Sequence, residues 1–169
     1  RLVALNPHEI QFGILKRLRG APIARHTQDF ELRFNPAPPY NILSTNCIDF
    51  AEMQQLSRFS RYWDILANSG RYSRTMNLIL ADSAFNHFYD FTQWLYQKTR
   101  QTHAIAHERM VHLVHDYLIE SRKLELTIVN EALISDYRGT GGRSRLKFED
   151  EKAVLPLPRP QKNKQHTPD

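Results

Sequence analysis

Cysteine is almost absent from this chain: Cys47 is the only one among its 169 residues. A single cysteine excludes an internal disulfide, and it excludes an iron–sulfur or cysteine-rich zinc site built from this sequence alone. It also favours a reducing compartment, so we expect a cytoplasmic protein. With Asn46 and Ile48 on either side and no paired cysteine nearby, we interpret Cys47 as a small buried apolar residue.

Long apolar runs are missing as well. No stretch approaches the roughly 20 residues that a membrane-spanning helix needs, so we expect no membrane partner. The amino-terminal stretch is interrupted by Pro7 and is too short for a secretory signal. The chain begins at Arg1 rather than at a methionine. We therefore expect it to be the carboxyl-terminal piece of a larger enzyme.

The charge is moderately basic, with 23 lysines and arginines against 18 acidic residues, a net charge of +5. Such a balance permits a nucleic-acid or acidic partner, because positive charge gives affinity for phosphate without naming the ligand. Part of the excess lies in the polar, proline-rich stretch 139–169, where it can serve solubility alone. Nucleic-acid binding therefore stays an alternative that the sequence does not favour.

The first zone of the chain, residues 1–28, contains one β-like run. Over residues 9–15 (EIQFGIL), Ile10, Phe12 and Ile14 alternate with more polar residues, which predicts a strand. No second strand of comparable quality follows, and an isolated strand cannot satisfy its own backbone groups. We therefore expect its sheet neighbours to lie upstream. Residues 29–46, with three prolines, are predicted to form an irregular connector.

The second zone, residues 29–138, is predicted to be a helical accessory domain. It starts with the connector over 29–46, and helical periodicity begins at Asp49. Asp49 and Glu52 have the spacing of a capping box, and residues 68–70 (NSG) are predicted to end the first helix. Further helices are predicted over 73–81, from 82 or 83 onward with an aromatic stripe, over 104–119 and over 122–137. The fold class is therefore mainly α, a small bundle of about five helices. It is preceded by one strand, whose sheet neighbours we expect upstream, and followed by a basic, disordered tail over 139–169.

The end of the first helix carries the candidate site residues: Arg61, Trp63, Asp64, Asn68 and Arg71. Arginines at a helix end can hold a phosphate or carboxylate with paired donors. They can equally bond the last helical carbonyls or pair with Asp64. We keep these residues as candidates for contact with a substrate or with a neighbouring domain.

Two other constellations are given structural interpretations. The histidines around the fourth helix do not converge on one side of it, and their spacing misses the zinc-protease motif, so no metal site is assigned. We expect them to be solvated or to face a partner: His103, His107, His112 and His115. The dipeptides Asp116-Tyr117 and Asp136-Tyr137 are each interpreted as a buried tyrosine ring beside an exposed aspartate.

The amino-terminal half of the chain resembles a known arrangement. Residues 8–23 (HEIQFGILKRLRGAPI) resemble the last strand and following turn of the radical SAM barrel, with Ala21 where that family usually has a threonine. The motifs in residues 34–43, 50–53, 58–64 and 68–72 resemble the carboxyl-terminal domain of unknown function of cobalamin-binding radical SAM proteins. The resemblance extends over about residues 8–138 and its specific motifs lie in 8–72.

This resemblance implies a parent polypeptide with a cobalamin domain, then a barrel that holds a 4Fe-4S cluster and S-adenosylmethionine, then the present helical region. The CxxxCxxC pattern of the cluster site is absent here, so no catalytic or cofactor-binding residue is assigned to this chain. The implied partners are the upstream barrel and cobalamin domain of the same polypeptide. The implied role is to cover the barrel or bind substrate during a radical reaction such as methyl transfer.

Overall fold

The computed structural model describes residues 2–5 and 7–150. Five α-helices dominate these residues, which confirms the mainly α prediction: α1 (Phe50–Trp63), α2 (Thr75–Leu80), α3 (Ala84–Thr99), α4 (His107–Asp116) and α5 (Leu126–Gly139). Two short 3₁₀ turns precede them, Val3–Leu5 and Pro22–His26. None of the helices in the described ranges is long and apolar enough to span a membrane.

The sheet in the described residues has two short strands, β1 (Arg33–Phe34) and β2 (Ile42–Ser44), which pair antiparallel. The strand predicted over residues 9–15 is not formed, and the nearest pairing is an isolated bridge between Lys16 and Asn41. The alternation in 9–15 nevertheless has a structural use, because Ile10 and Ile14 are half-buried against the rest of the fold. The apolar side chains of this segment therefore pack against the two core clusters, although its backbone does not pair with neighbouring strands.

α1 begins where the sequence indicates. The Glu52 backbone N–H donates to Asp49 Oδ1 at 2.8 Å, and the Asp49 N–H donates to Glu52 Oε2 at 3.0 Å, so the predicted capping box is present. The helix widens into a π turn over Asp64–Asn68, and Gly70 follows with a φ of +68°. A positive φ favours glycine, which explains why the chain turns there.

The core is built on the aromatic stripe predicted for α3. Phe88, Phe91 and Leu95 are fully buried. Phe88 makes edge-to-face contacts with Phe59 and Trp63 of α1, in each case with ring centroids 5.0 Å apart. The helices α4 and α5 complete the core, chiefly through Met110, Val114, Val129 and Leu133. On α5, by contrast, the side chain of Ile128 is exposed.

The segment after α5 is packed rather than unstructured. Leu146 and Phe148 are only 1% and 2% exposed. The Phe148 ring stacks on His115 of α4 with centroids 4.1 Å apart, and Asn130 Nδ2 of α5 donates to the Phe148 carbonyl at 3.1 Å. The sequence prediction therefore placed the start of the tail too early at 139, because two apolar residues give no periodicity to recognise. The remainder of that tail, 151–169, lies outside the described residues.

Cys47 is exposed, contrary to the interpretation from sequence. It lies in a polar turn before α1, where its backbone N–H donates to Thr45 Oγ1 at 3.0 Å. The adjacent Ile48 is the residue that packs against the small cluster of Leu32, Ile42 and Met53. Of these two neighbouring residues, Ile48 is therefore packed against the cluster and Cys47 is left exposed.

Candidate functional site: the Asn68 clamp

Asn68, the last residue of the π turn, holds the amino-terminal segment against the helical bundle. Its Oδ1 accepts from the Ile10 N–H at 3.2 Å and from Trp63 Nε1 at 3.1 Å. Its Nδ2 donates to the Ile10 carbonyl at 3.0 Å and to Asp64 Oδ1 at 2.9 Å. Both amide donors and both lone pairs of the oxygen are thus used. We call Ile10, Trp63, Asp64 and Asn68 the Asn68 clamp.

A second point of attachment lies one turn earlier on α1. Ser60 Oγ donates to the Phe12 carbonyl at 2.7 Å, and the Phe12 ring meets Phe59 and Trp63 edge to face at 5.2 and 5.3 Å. Edge-to-face aromatic pairs stabilise beyond the area they bury. Side chains of α1 and of the π turn therefore hold residues 10–12 against the bundle, without any help from a neighbouring strand.

The other backbone groups of this segment are open. In the part of the chain that the structure describes, the backbone groups of Gln11, Gly13 and Ile14 make no hydrogen bond. Pairing resumes only at Leu15, whose carbonyl accepts from the Ile42 N–H at 2.8 Å. An extended segment with free backbone donors and acceptors can pair with another strand. The segment is thus attached to the bundle through Ile10 and Phe12, while the backbone groups of Gln11, Gly13 and Ile14 are available for pairing.

Three grooves adjoin the segment. One of about 240 Å³ lies between it and α2 and is lined in part by His8, Trp63 and Met76. Another of about 410 Å³ lies on the side of Asp64 and Gln11. A third, about 280 Å³ and largely apolar, is lined in part by Leu2, Phe59 and Phe85. These grooves give the region around the clamp both a polar and an apolar surface.

The structure brings together three of the five predicted site residues. Trp63, Asp64 and Asn68 form the clamp, whereas Arg61 and Arg71 lie apart from it. Arg61 is exposed, and its side chain makes no hydrogen bond or ion pair within the described ranges. Arg71 is exposed, and its backbone N–H donates to Ser69 Oγ at 3.2 Å. Its positive charge acts on a different group of residues, around Tyr72.

That second group consists of three rings. His107 lies between Tyr72 and Tyr137, with centroid distances of 5.6 and 5.3 Å. Burial raises the pKa of Tyr72 well above its usual value, and burial together with the nearby Arg71 charge lowers the pKa of His107. Both side chains are therefore neutral near pH 7. The Tyr72 hydroxyl and His107 Nε2 are buried without a hydrogen-bond partner among the described residues.

Asp136 is buried, which corrects the interpretation of the Asp136-Tyr137 dipeptide. Its Oδ2 accepts from the Thr75 N–H at 2.9 Å and from Thr75 Oγ1 at 2.8 Å. Its Oδ1 accepts from the Arg74 N–H at 3.2 Å and from Ser73 Oγ at 3.4 Å. This carboxylate joins α5 to the start of α2, so its role is structural. Asp116, by contrast, is exposed as predicted, and Tyr117 and Tyr137 are both buried.

The histidines around α4 do not form a metal centre: no group of three or more potential ligand residues in the described ranges could hold a metal ion. The expectation that these histidines are solvated is wrong for His115, which is 8% exposed and stacked on Phe148. His112 Nε2 accepts from the Lys147 N–H at 3.1 Å. Both rings bind the segment after α5.

Two contributors to the site went unrecognised in the sequence. The sequence gives Ser60 no tertiary role, and it predicts Ile10 only as part of a strand. Neither the hydroxyl of Ser60 nor the backbone of Ile10 carries a sequence signal for a contact so distant along the chain. Asn68 was noticed, because an asparagine before Ser-Gly is typical of a helix end, but its partner was not.

In a comparison with protein families, residues 28–153 match the family described as "Protein of unknown function (DUF4080)". The chain belongs to this family. The matched range contains all five helices and Asn68, whereas Ile10 lies before it, so the clamp joins the DUF4080 region to the segment that precedes it. No curated protein and no solved structure matches this chain.

Proposed function

We propose that this DUF4080 chain is the carboxyl-terminal accessory region of a cobalamin-dependent radical SAM enzyme. In this role the helical bundle covers the barrel or contacts the substrate, and the chemistry takes place in the upstream domains. The cofactors of that parent are a 4Fe-4S cluster, S-adenosylmethionine and cobalamin, all held upstream. The proposal rests on the resemblance of residues 8–72 and on the geometry of the amino-terminal segment.

The observation that carries the proposal is that residues 10–14 are attached to the bundle and also have unpaired backbone groups. Asn68 and Ser60 bind the carbonyls of Ile10 and Phe12, while the backbone groups of Gln11, Gly13 and Ile14 are free in the described structure. A strand at the end of an upstream sheet needs that combination. It must pair with its sheet neighbour through the backbone and must also hold the appended helices rigidly.

The surface next to the segment also suits an accessory role. Phe12 is 39% exposed, Leu2 61% and Phe85 58%, and they share one apolar groove. Burial of apolar area stabilises a contact between domains by about 25 cal/mol per Å². A barrel that pairs with the segment would lie against this groove. Radical chemistry belongs to the cofactors, so the bundle's contribution is positioning and exclusion of water.

The experiment compares this chain with the longer polypeptide of which we propose it is a part. After anaerobic reconstitution with iron and sulfide, we expect the longer polypeptide to bind a cluster and cleave S-adenosylmethionine, and this chain to do neither. A stoichiometric iron–sulfur chromophore in this chain would contradict the proposal.

Trypsin tests the docking directly. Lys16, Arg17 and Arg19 are exposed here, so we expect rapid cleavage after them in the isolated chain. In the longer polypeptide the same bonds should be protected, because the segment pairs with the upstream sheet. Equal cleavage rates in the two proteins would show that the segment does not pair with an upstream sheet.

The alternative is a stand-alone basic module that binds nucleic acid, consistent with the net charge of +5. This function predicts an affinity for RNA or DNA that falls steeply with salt, because binding to phosphates releases counterions. The exposed Cys47 offers a single position for a fluorophore in such a titration. Absence of binding at low salt would remove this alternative.

A further inference from the structure

Two arginines from different elements meet over one tyrosine ring. Arg58 of α1 places its guanidinium carbon 4.3 Å from the centroid of the Tyr96 ring on α3. Arg100, directly after α3, places its own 5.7 Å from the same centroid. Cation–π attraction explains why each charge lies on the ring. It does not neutralise either charge, so two positive groups share one aromatic ring.

A third arginine is attached to the same loop. Arg109 Nη1 of α4 donates to Gln101 Oε1 at 3.1 Å. The Gln101 carbonyl accepts from the Tyr62 hydroxyl at 2.6 Å, which ties this loop to α1 one turn after Arg58. Three guanidinium groups are thus positioned around one short loop by contacts from three helices.

This cluster has no acidic partner among the described residues. The ion pairs of the described structure involve other side chains, and none includes Arg58, Arg100 or Arg109. The Nε of Arg58 is also buried without a hydrogen-bond acceptor. A buried donor without a partner is uncommon in folded proteins and points to a missing acceptor. An anionic oxygen would supply the countercharge, which the exposed Arg100 and Arg109 can reach.

The backbone at Arg100 makes this position suitable for a substitution test. Its φ of 54° and ψ of 22° lie in the left-handed region, at the position after a helix where glycine is usually found. Five other non-glycine residues in the described ranges also have a positive φ, so the conformation does not by itself identify a site. Here the left-handed conformation accompanies the placement of the Arg100 guanidinium over Tyr96. Glycine would suit this conformation but would remove the charge.

We propose that Arg58, Arg100 and Arg109 form a binding site for an anionic oxygen group of a small ligand, either a phosphate or a carboxylate. Guanidinium groups match both through paired N–H donors. The site shares no residue with the Asn68 clamp, so it stands independently of the function proposed above. It gives the helical bundle a ligand-binding role of its own.

The first test is a titration of the folded chain followed through its arginine Nε–H signals by NMR, at constant ionic strength. Inorganic phosphate is the probe in one arm and succinate in the other. A saturable shift of the Arg58 and Arg100 signals supports the site. Saturation by phosphate assigns a phosphoryl group, and saturation by succinate alone assigns a carboxylate. Linear shifts in both arms, without saturation, would overturn the proposal.

Substitutions then separate binding from folding. Arg58→Gln and Arg100→Gly should each weaken binding of the saturating probe by about tenfold, since each removes one charge-assisted contact. Arg100→Gly is informative because glycine suits the left-handed backbone, so the variant should unfold no more easily than the parent chain.

Lys123→Gly is the matched control. Like Arg100→Gly, it replaces a cationic residue whose φ is positive, here 55°. Lys123 follows α4 along the chain, whereas Arg100 precedes it. We expect its affinity for the probe to equal that of the unsubstituted chain. Unchanged affinity in Arg100→Gly, or an equal loss in Lys123→Gly, would overturn the proposal.

Discussion

The side-chain amide of Asn68 pairs with both backbone groups of Ile10, accepting from its N–H at 3.2 Å and donating to its carbonyl at 3.0 Å. One side chain thus satisfies a residue in the way that a neighbouring strand would. The pairing spans 58 positions of sequence, so it joins the amino-terminal segment to the helical bundle of the DUF4080 region. Its loss should free the segment without unfolding the bundle.

We expect Asn68→Asp to lower the free energy of unfolding by about 1–3 kcal/mol, the range for a lost partner of a buried polar group. The carboxylate cannot donate to the Ile10 carbonyl, and it repels the adjacent Asp64. Amide exchange at Ile10 should accelerate. Asn77→Asp is the control, since Asn77 is an exposed asparagine whose side chain makes no hydrogen bond in the described structure. Equal stability and equal exchange in the two variants would show that the clamp contributes nothing.

Asp136 should be one of the most sensitive polar positions in the chain. We expect Asp136→Ala to destabilise the fold by about 3 kcal/mol, because four donors from residues 73–75 lose a charged acceptor. Chemical denaturation of this variant and of a control provides the measurement. Asp116→Ala is the matched control, since it precedes a buried tyrosine in the same dipeptide but is exposed. Its effect should stay within about 0.5 kcal/mol. A similar loss for both would mean that burial of Asp136 has no energetic consequence.

The segment after α5 contributes to the core through Phe148. We expect Phe148→Ala to lower the free energy of unfolding by about 3–4 kcal/mol, as large-to-small changes at buried aromatic positions do. Phe50→Ala is the control, since Phe50 is 56% exposed at the start of α1. Urea denaturation of both variants gives the comparison. If Phe148→Ala changed the free energy of unfolding only slightly, residues 143–150 would belong to the unstructured tail that the sequence predicts.

The sequence predicts the helical part of this fold well. The capping box at Asp49 and Glu52 and the aromatic stripe of α3 are local patterns, and their consequences lie within a few residues. It fails where contacts are distant. The strand predicted at residues 9–15 finds helical side chains as partners, and Phe148 is recruited by His115 across 33 positions. No local pattern specifies either outcome.

The candidate site follows the same division. Trp63, Asp64 and Asn68 are recognisable because a helix end with polar and aromatic residues is a local feature. Arg61 and Arg71 belong to the same stretch of sequence, but their side chains are exposed and lie outside the clamp. The burial of Asp136 could not be foreseen, because Asp116 has the same neighbour in sequence and only the packing of α5 against α2 distinguishes them.

The pKa of His107 predicts how stability depends on pH. Burial lowers the pKa of this side chain in the folded state, so the unfolded chain binds the proton more readily. The stabilisation is complete above the unfolded value of about 6.5 and is lost as the pH falls through the lower folded value. Replacement by phenylalanine keeps a ring against Tyr72 and removes the titration. We therefore expect a smaller loss of stability between pH 7 and pH 5 in His107→Phe, measured by urea denaturation. An unchanged pH profile would show that His107 is not responsible.

The most direct test of the proposed accessory role is the size of the native polypeptide, measured by immunoblot of source-cell lysate with an antibody against this chain. We predict a band several times larger than the 19.9 kDa of the present sequence, because in our proposal the open backbone groups of residues 10–14 pair with an upstream domain of the same polypeptide. A single band at 19.9 kDa would contradict this, and the bundle would then function without a barrel.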